Sequence, residues 1–126
     1  MEEKVIALID AAFADVPCPT DDIPDLDVFA DWDIILLGAE EFRFYFPRIV
    51  ERSLAEGDHD LLDSLIFVLR EVDRGHSTYL VSLFDKSQRA AVRMLLYFLL
   101  DHPDYIDNYG SQLLVRRAIP LWEKMM

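Results

Sequence analysis

The chain has 126 residues, 52% of them hydrophobic and 12% aromatic, which suffices to bury a core in one domain spanning 1–126 and excludes a disordered tail. Its 24 acids against 12 lysines and arginines give a net charge of −12, and its single cysteine excludes an intramolecular disulfide and a cysteine-rich zinc site. The charge is lopsided: residues 1–42 hold twelve acids and one lysine, a net of −11, whereas residues 43–126 carry a net of −1.

The N-terminal stretch MEEKVIALIDAAF starts acidic and interrupts its apolar residues, so it does not read as an export signal. Val5, Ile6, Ile9, Ala12, Phe13 and Val16 instead follow a helical period, predicting a helix over about residues 2 to 15 that Pro17 and Pro19 end. Residues 17–25 are rich in proline and aspartate and read as loop. A short helix is expected around residues 25–31, followed by an irregular buried link through the apolar run 34–37.

Phe42, Phe46, Ile49, Val50 and Leu54 share one face of a helix over about residues 39 to 56, closed by Gly57. Pro47 lies inside it and cannot donate to the carbonyl of Arg43, which predicts a kink or a break into two segments. Asp58 or Asp60 caps the next helix, whose buried face is Leu61, Leu62, Leu65, Val68, Leu69 and Val72 and which Gly75 stops. Asp85-Lys86-Ser87-Gln88 is a capping-box variant opening a helix over about residues 86 to 101, with Ala91, Met94, Leu95, Phe98 and Leu99 inward and Pro103 at its end. Residues 104–110 suggest a further short helical turn. A last helix begins near Ser111 and carries Leu114, Ala118, Leu121 and Trp122, with Pro120 disturbing its end.

No alternating strand, hairpin dipeptide or internal repeat is present. The expected fold is an all-α single-domain bundle of about five to six helices with a Pro-kinked second or third helix. The longest apolar run, residues 94–100, is seven residues, against the about 20 that a membrane span needs. A cytoplasmic protein with no membrane contact is expected.

Three stretches carry a resemblance: Ala12-Phe13 before a Pro-rich acidic loop, Glu41-Phe42-Arg43-Phe44-Tyr45-Phe46-Pro47, and Leu83-Phe84-Asp85-Lys86-Ser87-Gln88-Arg89-Ala90-Ala91-Val92. Together they resemble a family of small bacterial proteins with no assigned function, in which a Phe-aromatic-Tyr-Leu-Pro helix precedes a Phe-x-x-x-Gln-Arg helix start. Phe46 stands where that pattern has leucine. The resemblance implies a helical domain and carries over no catalytic residue.

Catalytic and metal-binding patterns fail on context. Asp25-Leu26-Asp27-Val28 matches the nucleophile motif of haloacid-dehalogenase-type phosphotransferases, but no apolar strand precedes it and no α/β pattern follows. A calcium loop starting at Asp25 would need oxygen donors and a glycine where Phe29, Ala30 and Leu36 stand. Asp58-His59-Asp60 reads as helix capping, since His76 and His102 lie at no ligand spacing from it. His76-Ser77 lacks a nucleophile elbow, Cys18 lacks a nearby histidine in sequence, and four glycines supply no phosphate loop. A non-catalytic protein without metal or cofactor is therefore expected.

Two charged features remain. Lys86, Arg89 and Arg93 fall at i, i+3 and i+7, a basic stripe that reads as a solvated face or as an anion-binding one. Residues 17–33 hold six aspartates and no cation: Asp21, Asp22, Asp25, Asp27, Asp31 and Asp33, beside Phe29 and Trp32. They read either as a solvated loop pinned to the core by its aromatics or as an interface. An acidic surface repels nucleic acid and steers a basic protein partner. The expectation is a protein-interaction module, with an immunity- or antitoxin-like inhibitor of a basic toxin as one concrete form. The alternative is a structural helical subunit that self-associates into a homo-oligomer, and a weak divalent-cation binder or small enzyme using the aspartates stands behind both.

Overall fold

The period of about 3.6 in the apolar residues dictates the architecture. A computed structural model describes residues 2–18, 38–70, 83–106 and 109–124, and every regular element among them is helical. These are α1 (Glu2–Ala12), α2 (Ala39–Leu54), α3 (His59–Arg70), α4 (Lys86–Asp101) and α5 (Tyr109–Lys124), with a 3-10 turn over Pro103–Tyr105. The contacts run α1 to α2, α2 to α3, α3 to α5, α5 to α4 and α4 back to α1, so the five helices close a ring around one core.

Phe84, just ahead of α4, sits in the middle of that ring. Its side chain is fully buried, with ring centroids of Phe13 at 5.3 Å, Phe46 at 5.8 Å, Phe42 at 6.4 Å and Trp122 at 5.4 Å. Edge-on and tilted geometries of this kind add to plain area burial because ring edges are positive and faces negative. α1, α2 and α5 are thus joined at one aromatic cluster. Trp122 extends it to α3 by donating its indole N–H to the carbonyl of Leu69 at 2.9 Å.

The predicted helix boundaries hold where local chemistry sets them. Asp85 accepts from the backbone N–H of Gln88 at 2.8 Å and Gln88 Oε1 accepts from the N–H of Asp85 at 3.0 Å, so the capping box starts α4 where expected. Asp58 caps α3, accepting from the N–H of Leu61 at 3.1 Å. Gly57 takes a left-handed φ of 71° behind α2, a conformation open to glycine at no steric cost.

Of the kink or break expected at Pro47, the break does not occur: α2 is one helix with Pro47 inside it, and Phe46, Ile49 and Val50 on either side are fully buried. Three expectations are corrected. α5 likewise continues past Pro120 and begins at Tyr109, two residues before Ser111. The turn expected over 104–110 is the 3-10 turn at Pro103–Tyr105. Met94, placed inward by periodicity, is 39% exposed, while Val92 and Leu96 are the buried residues beside it. The short helix and link expected over 25–37, and Val72 and Gly75, lie outside the described residues.

Candidate functional site

Of the acidic segment, Asp21, Asp22, Asp25, Asp27, Phe29, Asp31, Trp32 and Asp33 all lie outside the described residues. Its flanks are described. α1 leads into it carrying Glu2, Glu3 and Asp10, and α2 follows it with Glu40 and Glu41 in its first turn, where negative charge complements the helix dipole.

Between these flanks two acids from different helices approach. Partial burial, and then the charge of Glu51 on α2, hold the Asp10 carboxyl above its ordinary range. The folded chain therefore binds the Asp10 proton more tightly than the unfolded chain does. That contribution is fully present below the unfolded pKa of about 3.9 and is lost as pH rises through the raised folded value. At neutral pH the ionised Asp10 is a local cost. Asp10→Asn is expected to raise the urea midpoint at pH 7 and to leave it unchanged near pH 3. Equal midpoints at both would show that the Asp10–Glu51 proximity carries no energy.

The arginines of α2 turn toward acids of the same hairpin. Arg48 pairs with Glu51 at 3.5 Å and with Glu56 at 2.5 Å, and Arg52 Nε meets Asp58 Oδ2 at 3.2 Å. Arg43 instead donates from Nε to Gln88 Oε1 at 3.0 Å. Gln88 is 2% exposed and also donates from Nε2 to the carbonyl of Ala12 at 3.2 Å. One buried amide thereby fixes the end of α1, the middle of α2 and the start of α4 relative to one another.

The basic stripe does not act as three equivalent cations. Lys86 is exposed. Arg89 is half-buried and donates from Nη1 to the carbonyl of Phe84, at the foot of its own helix. Arg93 is half-buried beside Tyr97, where its charge opposes the rise in the phenol pKa caused chiefly by the hydrogen bond from Tyr97 to the Glu123 carboxylate. Arg89 Nε and Arg93 Nη1 are buried and have no hydrogen-bond partner.

The described histidines, His59 and His102, sit in structural roles. His59 Nδ1 lies 3.2 Å from the carbonyl of Tyr105, and His102 Nδ1 lies 2.9 Å from that of Phe98. Asp58 is occupied in capping α3 and binding Arg52. Cys18 is exposed on the wall of a cavity of about 270 Å³ shared with Val16, Pro17, Glu40, Arg43 and Leu83, which contains no histidine. His76 lies outside the described residues. Among the described residues no group of three or more histidines, cysteines and carboxylates could hold a metal ion, and no helix is long and apolar enough to cross a membrane.

Sequence reasoning missed the reach of Gln88, which its helix-start motif showed only as half of a capping box. No family model matches the chain, and no curated protein or solved structure does either.

Proposed function

We propose that the protein is a non-catalytic, cytoplasmic interaction module that presents an acidic N-terminal face to a basic protein. An immunity- or antitoxin-like inhibitor of a basic toxin is one concrete form of that role. The observation that carries the reading is the charge distribution, with −11 of the net −12 in residues 1–42. The upward shift at Asp10 supports it: partial burial first, and then the charge of Glu51 on α2, make the ionised carboxyl a cost to the free protein. A cationic partner would relieve that cost on binding and would be steered toward the face before contact.

The test is association kinetics with the partner captured from the native cell. The variant Asp21→Asn, Asp22→Asn, Asp25→Asn, Asp27→Asn is expected to slow association about tenfold or more at low ionic strength. The difference should shrink as salt shortens the Debye length to about 3 Å at 1 M. An association rate that is the same for both proteins at low salt removes the reading.

A further inference from the structure

A second surface, on the side of the bundle formed by α1 and α4, has a different character. Four large apolar side chains are exposed among the described residues, and three of them, Leu8 at 47%, Met94 at 39% and Tyr97 at 45%, lie on these two helices. Leu8 and Met94 rim a groove of about 350 Å³ whose floor includes Ala11, Ala12, Ala90 and Ala91. Small residues there leave room for side chains from another surface.

The charges bordering this groove follow a rule. On α1, Lys4, Leu8 and Ala11 fall at i, i+4 and i+7, and Asp15 follows in the turn behind the helix, so this side begins with a cation and ends with an anion. On α4, Lys86, Ala90, Met94, Tyr97 and Asp101 fall at i, i+4, i+8, i+11 and i+15, with the same signs at the same ends. All four charged residues are exposed. Lys86 and Asp101 oppose the dipole of α4, and Lys4 in the first turn opposes that of α1, since dipoles favour acids at the N-terminus and bases at the C-terminus. Stability of the isolated chain therefore does not account for them.

The two helices are antiparallel. Gln88 at the start of α4 bonds Ala12 at the end of α1, and Tyr105, just past α4, donates its hydroxyl to Glu2 at the start of α1. Asp15 and Lys86 accordingly mark one end of the groove, Lys4 and Asp101 the other. Round the four corners the signs alternate, and they sum to zero in a protein of net charge −12. A checkerboard of this kind is its own complement. A two-fold axis in the plane of the face, along or across the helices, sets every corner opposite a charge of the other sign.

We propose that the α1–α4 face is the interface of a two-fold homodimer, in which Leu8 and Met94 of each copy seat against the alanine floor of the other. The proposal does not depend on the acidic face having a basic partner. The 16 residues of α4 give a face about 24 Å long and, two helices wide, about 20 Å across. That is about 500 Å² per copy, so the dimer lies at the small end of specific interfaces and has micromolar affinity.

Sedimentation of the full chain from about 1 to about 300 µM should show the mass doubling as concentration rises. Leu8→Glu and Met94→Glu, both at exposed positions, should each weaken association about tenfold or more, with helix content by circular dichroism unchanged. Lys4→Asp should weaken it as well. Adding Asp15→Lys to Lys4→Asp restores the dimer if α1 faces its own copy, and adding Asp101→Lys restores it if α1 faces α4 of the other copy. The proposal is overturned by a monomer at the highest concentration, by a dimer indifferent to both glutamate variants, or by failure of both charge exchanges to restore association.

Discussion

Trp122→Ala is expected to lower the unfolding free energy by about 4 kcal/mol, within the range of about 3–5 kcal/mol for truncating a large buried aromatic. The side chain is fully buried at the junction of α5 with Phe84 and α3. Truncation opens a cavity walled by the rigid rings of the central cluster, which cannot collapse into it. It also removes the indole N–H that is donated to the carbonyl of Leu69 on α3. Trp122→Phe separates the two effects. It keeps most of the packing and removes the indole N–H with part of the ring system, so a smaller loss of about 1–3 kcal/mol is expected. Urea unfolding at pH 7 measures both. A loss under 1 kcal/mol for Trp122→Ala would mean that α5 is not anchored through this residue, and the ring of helices described above would be wrong at its α3–α5 link. Against a typical total of about 5–15 kcal/mol, the alanine variant should stay folded but near its threshold.

The helices were readable wherever a local signal coincides with what packing wants. Asp85 and Gln88 mark the start of α4 because a capping box involves only residues three apart, and α4 runs from Lys86 to Asp101 as expected. Pro47 shows the opposite case. Its local rule allows a kink or a break, and the burial of Phe46, Ile49 and Val50 selects one continuous helix, a tertiary effect with no local signature. Met94 was placed inward for a related reason: in the run 94–100 every residue is hydrophobic, so the local period does not separate inward from outward. Met94 and Tyr97, three residues apart, prove to share the outward stripe. That stripe was legible in principle, as a lysine and an aspartate bracketing small and apolar residues at helical spacing. It becomes meaningful only once α1 is seen antiparallel beside α4. The acidic segment is legible as charge, and the described residues add to it the flanking acids Asp10 on α1 and Glu40 and Glu41 at the start of α2.

Gln88→Met should cost about 3 kcal/mol, although it preserves side-chain length and nearly fills the same volume. Three polar groups depend on the amide: the N–H of Asp85, the Nε of Arg43 and the carbonyl of Ala12. The first two belong to exposed and half-buried residues, so water can partly replace their partner. Ala12 is among the last four residues of α1, where carbonyls have no partner within the helix, and the bond to it spans 76 positions of sequence. Leaving a buried group unsatisfied costs about 1–3 kcal/mol, more than a typical net hydrogen bond contributes, so the sum is dominated by the orphaned partners. Gln88→Ala adds a cavity to the same losses and should be worse by about 1 kcal/mol or more. Arg43→Met tests the coupling: in a double-mutant cycle with Gln88→Met the two changes should fall short of additivity by about 1 kcal/mol. Native-state hydrogen exchange should show the loss concentrated in α1, whose hold on α4 passes through this amide. Full additivity with Arg43→Met, together with unchanged exchange in α1, would reduce Gln88 to an ordinary helix cap. The placement of α1 would then have to come from Val5, Ile9 and Phe13 alone, the three buried apolar side chains that α1 and the turn behind it contribute to the core.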